Sequence, residues 1–330
     1  MYEVVIGVDV SKEVLDVAYS CQNETLYLIQ VENTDLGIAK FLHAVKAVTG
    51  SNCNSSWFVC FENTGTYSKL LLSTLLAMDI PCIEENAMHI KRYCAVARGK
   101  RDDWDAMRIC HYAVVHQKQL VPNKPASYKI DKLKHLFNYR TTLVDKRRAL
   151  SNAVKEKHET LESRMMEEIY QINQNILKQI DDAIKTVEKK MREIIKNDEG
   201  LKGNYDLATS VIGIGEIIGT ALIIKTENFQ KFTDPKKFAS QIGIAPFPHQ
   251  SGKSYSKPKV SKRADIPMKT LISCGVNSAM IYDNQIRKYR QGLLANNKHK
   301  GIIRNNIKNK LIHRVFAVIK RGTPYVNIAA

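Results

Sequence analysis

The sequence predicts three parts in line: an α/β domain, a long helical segment, and a mostly helical, strongly basic C-terminal part. Three observations carry that reading. Short β-branched runs alternate with amphipathic stretches between residues 3 and 85. From Tyr128 to about Asp198 turn chemistry all but disappears and helix formers dominate. Charge is also unevenly placed. Residues 231–330 hold 20 Lys and Arg against three acids (Asp234, Asp265, Asp283), while the first 230 hold 30 of each sign. The tail therefore supplies the whole net charge of +17, which points to a polyanionic partner.

The first stretch, Glu3–Lys12, is an apolar β-branched run with one carboxylate, Asp9, and reads as a strand buried on both faces. Val14–Ser20 and Thr25–Val31 continue it as a meander. Leu36–Val48 spaces Ile38, Phe41, Leu42, Val45 and Val48 as a helix. Trp57–Phe61 is a fourth strand ending at Glu62, Tyr67–Met78 a helix, and Ile80–Ile83 a fifth strand. Three strands followed by helix, strand, helix, strand is the order of a ribonuclease H-like α/β domain. In such a sheet the first and fourth strands are neighbours, so Asp9 and Glu62 approach each other.

A helix then opens at Gly99–Ala106 and runs to about Gln119, with Asp102 and Asp105 on one side of its first turn. Acids there also cap a helix and favour its dipole, so this placement alone decides nothing. Trp104, between them, reads as core. Taken together, Asp9, Glu62, Asp102 and Asp105 form a DEDD set. Four converging carboxylates repel one another unless cations join them, and two Mg²⁺ ions about 3.5–4 Å apart are the expected partners.

Pro122 and Pro125 close this domain. Beyond them, Ile169, Ile172, Ile176, Ile180, Ala183, Val187, Met191 and Ile194 repeat by threes and fours as a coiled-coil seam. The preceding helix carries Leu133, Leu136, Leu143, Leu150 and Val154, interleaved with Arg140, Lys146, Arg147 and Arg148, Arg140 and Arg147 being candidate phosphate contacts. Two helices folded back, or paired between chains, both satisfy this pattern. The last part opens near Leu201. Val211-Ile212-Gly213-Ile214-Gly215 has the pattern of a helix–hairpin–helix, whose glycines let backbone N–H groups reach a phosphate. An ordinary tight turn reads equally well. His249-Gln250-Ser251-Gly252-Lys253 and a basic loop with Lys257, Lys259, Lys262 and Arg263 follow.

Composition excludes several classes. No apolar run approaches the roughly 18 residues that span a bilayer, and the chain starts directly on a strand, so no signal peptide is expected. Seven cysteines occur without a CxxC pair or zinc spacing and read as thiols of a reducing cytosol. The expected location is the bacterial cytoplasm, at the nucleoid when active.

The stretches GVDVSK, FENTGTYS and GKRDDWDA resemble the RuvC-like DEDD motifs of an insertion-sequence transposase family that includes the Piv DNA invertases. IGIGEIIGTAL, FASQIGIAPFPHQSGKS, VSKRADIPMKTL and RGTPY are similar to that family's C-terminal transposase domain. Ala264-Asp265 departs from the Gly-Asn usual there. The resemblance implies DNA recombination with Mg²⁺ at the RuvC-like site and a nucleophilic serine, which falls on Ser251. It further implies a structured guide, the bridge RNA, that pairs with donor and target DNA. The implied assembly is a homo-oligomer, dimer or tetramer, in which the RuvC-like domain of one subunit meets the serine domain of another.

The expected domains are 1–125 (RuvC-like, DEDD), 126–200 (helical coiled-coil segment) and 201–330 (basic C-terminal transposase domain). A metal-only endonuclease of the Holliday-junction resolvase type is the alternative, with Ser251 merely lining a loop. A sugar-kinase or actin-like ATPase also begins Gly-hydrophobic-Asp, but its second phosphate loop and adenosine motif are not found.

Overall fold

The computed structural model describes residues 2–21, 24–50, 56–93, 102–123, 127–158, 163–251, 254–260 and 264–327. Within these, the side chains of 21, 24, 102–103, 154–158, 163–166, 248–251 and 254–259 lie outside the description. The chain divides into two compact units, Met1–Pro125 and Ala126–Ala330.

The first unit is the ribonuclease H-like domain. Its strands are β1 (Val4–Val10), β2 (Val14–Cys21), β3 (Glu24–Glu32), β4 (Trp57–Glu62) and β5 (Cys82–Glu85). They form one sheet in the order β3-β2-β1-β4-β5, antiparallel across β3, β2 and β1 and parallel across β1, β4 and β5. The first and fourth strands are neighbours, as expected. β1 and β4 are buried almost throughout, which is why their sequences run apolar without alternation.

Each face of the sheet has its own cover. α1 (Asp35–Thr49) and α2 (Lys69–Ala77) pack with Val4, Ile6, Val8, Val59 and Phe61 on one side. On the other, α4 (Asp102–His116) lays Ala106, Ile109, Cys110 and Ala113 against Val5, Ala18, Phe58 and Cys60. α3 (Ala87–Tyr93), a short helix between β5 and α4, has no counterpart in the sequence reading. Contact on this second side is close. A Cβ built on Gly7 would stand 2.5 Å from the Ala106 carbonyl oxygen and closer still to the Cys110 nitrogen. The glycine lets the α4 backbone lie on β1 two residues before Asp9.

In the second unit, α5 (Tyr128–His158) and α6 (Ser163–Lys196) form a hairpin. Lys129 pairs with Asp198, Arg140 with Glu188 and Arg147 with Asp181, so rising numbers on one helix meet falling numbers on the other. The helices are antiparallel and folded back within the chain. Their base joins the core of the C-terminal helices: Ile130, Leu133, Met191 and Ile195 are buried with Leu222, Ile244, Ile272, Ile307 and Phe316.

The coiled-coil seam needs correcting. α6 buries Asn173, Leu177, Val187, Met191 and Ile195, whereas Ile169, Ile172 and Ile176 are exposed. The distal isoleucines line up one position off the flank that α5 covers, and periodicity alone does not distinguish the two stripes.

Beyond the hairpin come α7 (Glu199–Thr209), α8 (Glu216–Thr226), α9 (Pro235–Gln241), α10 (Ile266–Tyr282), α11 (Asn284–Ala295) and α12 (Lys300–Arg321). Two antiparallel strands, β6 (Pro246–Ser251) and β7 (Ser254–Val260), interrupt them. The expected basic loop is in part this hairpin: Lys257 and Lys259 belong to β7.

Candidate functional site

The registers of the first sheet bring acids into a row. Asp9 on β1 lies opposite Asp16 on β2, and Glu62 on β4 lies opposite Glu85 on β5. Val8 pairs with Phe61, which carries Asp9 and Glu62 to the next level side by side. Alternation fixes the face. Val5 and Gly7, in step with Asp9, face α4, as do Phe58 and Cys60 in step with Glu62 and Ala18 in step with Asp16. Tyr112 of α4 donates to Glu85 Oε2 at 3.3 Å. Four carboxylates therefore cross the sheet on one face, the face that α4 covers.

The inner two are Asp9 and Glu62, the pair the sequence singled out. The outer two were missed. Asp16 is buried and accepts from the Tyr27 hydroxyl and the Gln30 amide, both at 3.0 Å. Glu85 is also buried. Its Oε1 accepts from the Asn86 backbone N–H at 2.7 Å and meets His89 Nδ1 at 2.9 Å. Burial beside this carboxylate pushes the Tyr112 phenol up to about 12. Asp16 sits in an alternating strand and Glu85 ends a short one, so only the strand register reveals them.

Asp105 lies on α4, half-buried, with Arg108 Nη1 2.9 Å away. The Lys91 ammonium of α3 stands 3.9 Å from Glu62 Oε1. Two cations thus lean on members of the acid set. Asp102 is the first residue of α4, and its side chain lies outside the described residues. Hard carboxylate oxygens on one face suit a hard divalent cation in type and number. Among the described residues, no three such side chains close around a common point at metal distance.

Trp104 corrects another expectation. It is 42% exposed on the first turn of α4, not core. In the second unit, Ser251 ends β6 opposite Ser254 at the hairpin tip, with its side chain outside the description. Lys253, Lys262 and Arg263 fall outside the described residues, as do the Lys257 and Lys259 side chains.

Arg140 and Arg147 are not presented as unengaged cations. Their guanidinium groups bind Glu188 at 2.7 Å and Asp181 at 2.5 Å across the hairpin. Gly213 also has a packing reason: with φ at 99°, its missing Cβ leaves room for the Gly275 carbonyl, 2.6 Å from where that atom would sit. Gly215 is exposed at the N-cap of α8.

The acids of the basic tail are all committed. Asp234 caps α9, Asp265 caps α10 and pairs with Lys225, and Asp283 caps α11 and pairs with Arg314. Most of the tail's cations therefore have no acid of their own segment to meet.

A ribonuclease H-like sheet with carboxylates along one face, joined to a strongly basic unit, defines an enzyme that processes nucleic acid. Family models agree. Residues 6–161 match the DEDD domain of IS110 transposases, and residues 205–291 match the transposase IS116/IS110/IS902 family. A pilin gene-inverting protein of Moraxella bovis is 23% identical, with 98% of each chain covered. A probable family 20 transposase of Pseudomonas aeruginosa is 22% identical over 70% of this chain and 75% of its own. A putative transposase of Sinorhizobium fredii is also 22% identical, over 70% of this chain and 65% of its own. The chain belongs to the IS110 family of transposases. Its substrate is DNA, and among the described residues no helix is long and apolar enough to cross a membrane.

Proposed function

We propose that the protein cuts and rejoins DNA for an insertion sequence, using a divalent-metal site at the carboxylate row, Ser251 as nucleophile and a structured RNA as guide. The observation that carries this reading is the placement of Asp9 and Glu62 side by side beneath the helix that bears Asp102 and Asp105. These four residues would hold two Mg²⁺ ions. When bound, the metal supplies the positive charge that polarises a phosphodiester and stabilises the departing oxygen. The protein's part is to fix the carboxylates. Gly7 seats α4 on β1, and the parallel register aligns β1 with β4.

Ser251 gives the reaction a way to conserve bond energy. Its Oγ forms a bond to phosphorus as the bond from phosphorus to the 3′ oxygen breaks, and the serine proton ends on that oxygen. The products are a 5′ phosphoserine ester and a free 3′ hydroxyl. A 3′ hydroxyl of another strand reverses the step without ATP. Gly213, Gly215, Lys253, Lys257, Lys259, Lys262, Arg263, Arg140 and Arg147 were the sequence's candidates for holding the nucleic acid. They keep that role here, Arg140 and Arg147 being paired across the hairpin in the free chain.

The exposed ridge Ile169, Ile172 and Ile176 supports a homo-oligomer, because a second copy of the hairpin would cover it. Sedimentation should show a dimer or tetramer at micromolar concentration; a monomer, both free and with nucleic acid, would rule this out.

Asp9→Asn, Glu62→Gln, Asp102→Asn and Asp105→Asn should each abolish Mg²⁺-dependent cleavage and keep the fold. Ser251→Ala should bind DNA but neither cut nor join, and the wild type should trap a DNA 5′ end on Ser251 by mass spectrometry. Cleavage by Ser251→Ala with no adduct in the wild type would make the protein a metal-only nuclease. Sequencing the nucleic acid that copurifies tests the guide, since random fragments would remove it.

A further inference from the structure

The turn Gly243–Ile244, which leads into β6, is gripped from two sides. Lys269 of α10 donates from Nζ to the Gly243 carbonyl at 2.8 Å. Asn305 of α12 donates from Nδ2 to the Ile244 carbonyl at 2.8 Å. Arg304 and Lys308 flank Asn305 one helical turn apart, on the same side of α12. Two helices therefore bring Lys269, Arg304 and Lys308 together at the root of the β6–β7 hairpin, all three only partly exposed.

Among the described residues, none of the three has a carboxylate at ion-pair distance, although neighbouring cations do. Lys225 holds Asp265, and Arg314 holds Asp283. The sequence leaves no acid to spare nearby: residues 246–263 carry none, and the tail's three acids are already caps. Burial, with Lys269 and Arg304 beside it, holds the Lys308 ammonium below its ordinary value. Crowding like charges where solvent is restricted works against folding, so an anion that joins them would relieve the cost.

The donors suit a tetrahedral oxyanion. Lys269 uses one N–H on Gly243 and keeps two, Lys308 offers three, and Arg304 presents a planar fork. We propose that Lys269, Arg304 and Lys308 bind a backbone phosphate of the nucleic acid at the root of the hairpin. This rests on the reading of the basic unit as the part that meets nucleic acid, and adds a defined contact to it. The turn those residues hold runs on directly into the strand that ends at Ser251.

The test uses the full chain. Binding of duplex DNA, and separately of the copurifying RNA, is measured between about 50 and 200 mM salt for the wild type, R304Q/K308Q, R304K/K308R and N305A. R304Q/K308Q should lower the slope of log affinity against log salt by about one, the share of one phosphate. Its melting temperature should equal or exceed that of the wild type, since repelling charges have been removed. R304K/K308R should restore the slope. N305A, which loses a turn anchor but no charge, should keep it.

A reduced slope with only DNA or only RNA assigns the strand. A wild-type slope in R304Q/K308Q overturns the proposal while leaving a nucleic-acid-binding tail intact. A flat slope in the wild type removes the broader reading instead. If about 10 mM inorganic phosphate stabilises the wild type but not R304Q/K308Q, at matched ionic strength and with nucleic-acid slopes equal, the site takes free phosphate and the proposal fails. Should the double variant not fold, R304Q and K308Q are read singly by the same criterion.

Discussion

Gly7 shows how one residue sets a site. It is in step with Asp9 on β1, and the backbone of α4 passes over it at Ala106 and Cys110. Backbone atoms cannot swing aside as side-chain tips do. Gly7→Ala should therefore displace α4, lower stability by about 1–3 kcal/mol and lose cleavage with it. Urea unfolding and a nicking assay check this; an unchanged Gly7→Ala protein would mean that α4 does not rest on β1.

Trp104 is legible in the same way once exposure is known. The chain has two tryptophans, and Trp57 is 3% exposed against 42% for Trp104. An exposed indole on the turn that carries Asp105 is placed to stack on an unpaired base, a contact worth about 1–3 kcal/mol. In Trp57→Phe protein, single-stranded DNA should quench the remaining fluorescence, and Trp104→Ala should bind that DNA less tightly. Unquenched emission at saturating DNA counts against the contact. Asp9 and Glu62 could be read from sequence because each interrupts an apolar strand. Asp16 and Glu85 could not, since a polar residue in an alternating or short strand is ordinary until pairing shows its neighbours.

At the scale of elements, the hairpin is the instructive case. Helix length and the presence of two stripes follow from composition and period, but their phase does not. The buried face includes Asn173, whose Nδ2 has no partner among the described residues, and leaves Ile172 and Ile176 outside. A hydrophobic-period reading favours the isoleucines, and only the packing of α5 chooses otherwise. A buried, unsatisfied amide costs about 1–3 kcal/mol. Asn173→Leu should recover much of that as a higher denaturation midpoint.

The ion pairs across the hairpin add a pH dependence of known sign. The bond from Arg147 holds the Asp181 carboxyl below its ordinary value, and the bond from Lys129 does the same for Asp198. A depressed carboxylate stabilises the fold above its unfolded value and loses that contribution as pH falls through the folded one. The melting temperature should therefore drop below about pH 4, the ordinary carboxylate range. Asp181→Asn should make that drop shallower, and Asn173→Leu should leave its shape unchanged. An identical acid limb in Asp181→Asn protein would show that the pair is solvated away.

At the scale of the whole molecule, charge divides as the units do. Residues 1–125 hold 12 Lys and Arg against 14 acids, a net of −2, and residues 126–330 hold 38 against 19, a net of +19. On the proposed reading, the unit with the carboxylate row repels a polyanion in the absence of divalent ions, and the +19 unit supplies the affinity for it. This asymmetry is visible in sequence. The place to divide the chain is less so, because the hairpin's base shares its buried cluster with α8, α10 and α12. A cut near residue 230 would open that core, so the informative fragments are 1–125 and 126–330. With roughly 6–10 phosphate contacts, full-length affinity should fall about 10³–10⁵-fold between about 50 and 200 mM salt. Fragment 126–330 should keep most of that slope. Fragment 1–125 should bind DNA weakly, and more weakly still when EDTA strips divalent ions, since uncompensated carboxylates then face the phosphates. Tight, salt-steep binding by 1–125 alone would place the nucleic-acid surface on the wrong unit.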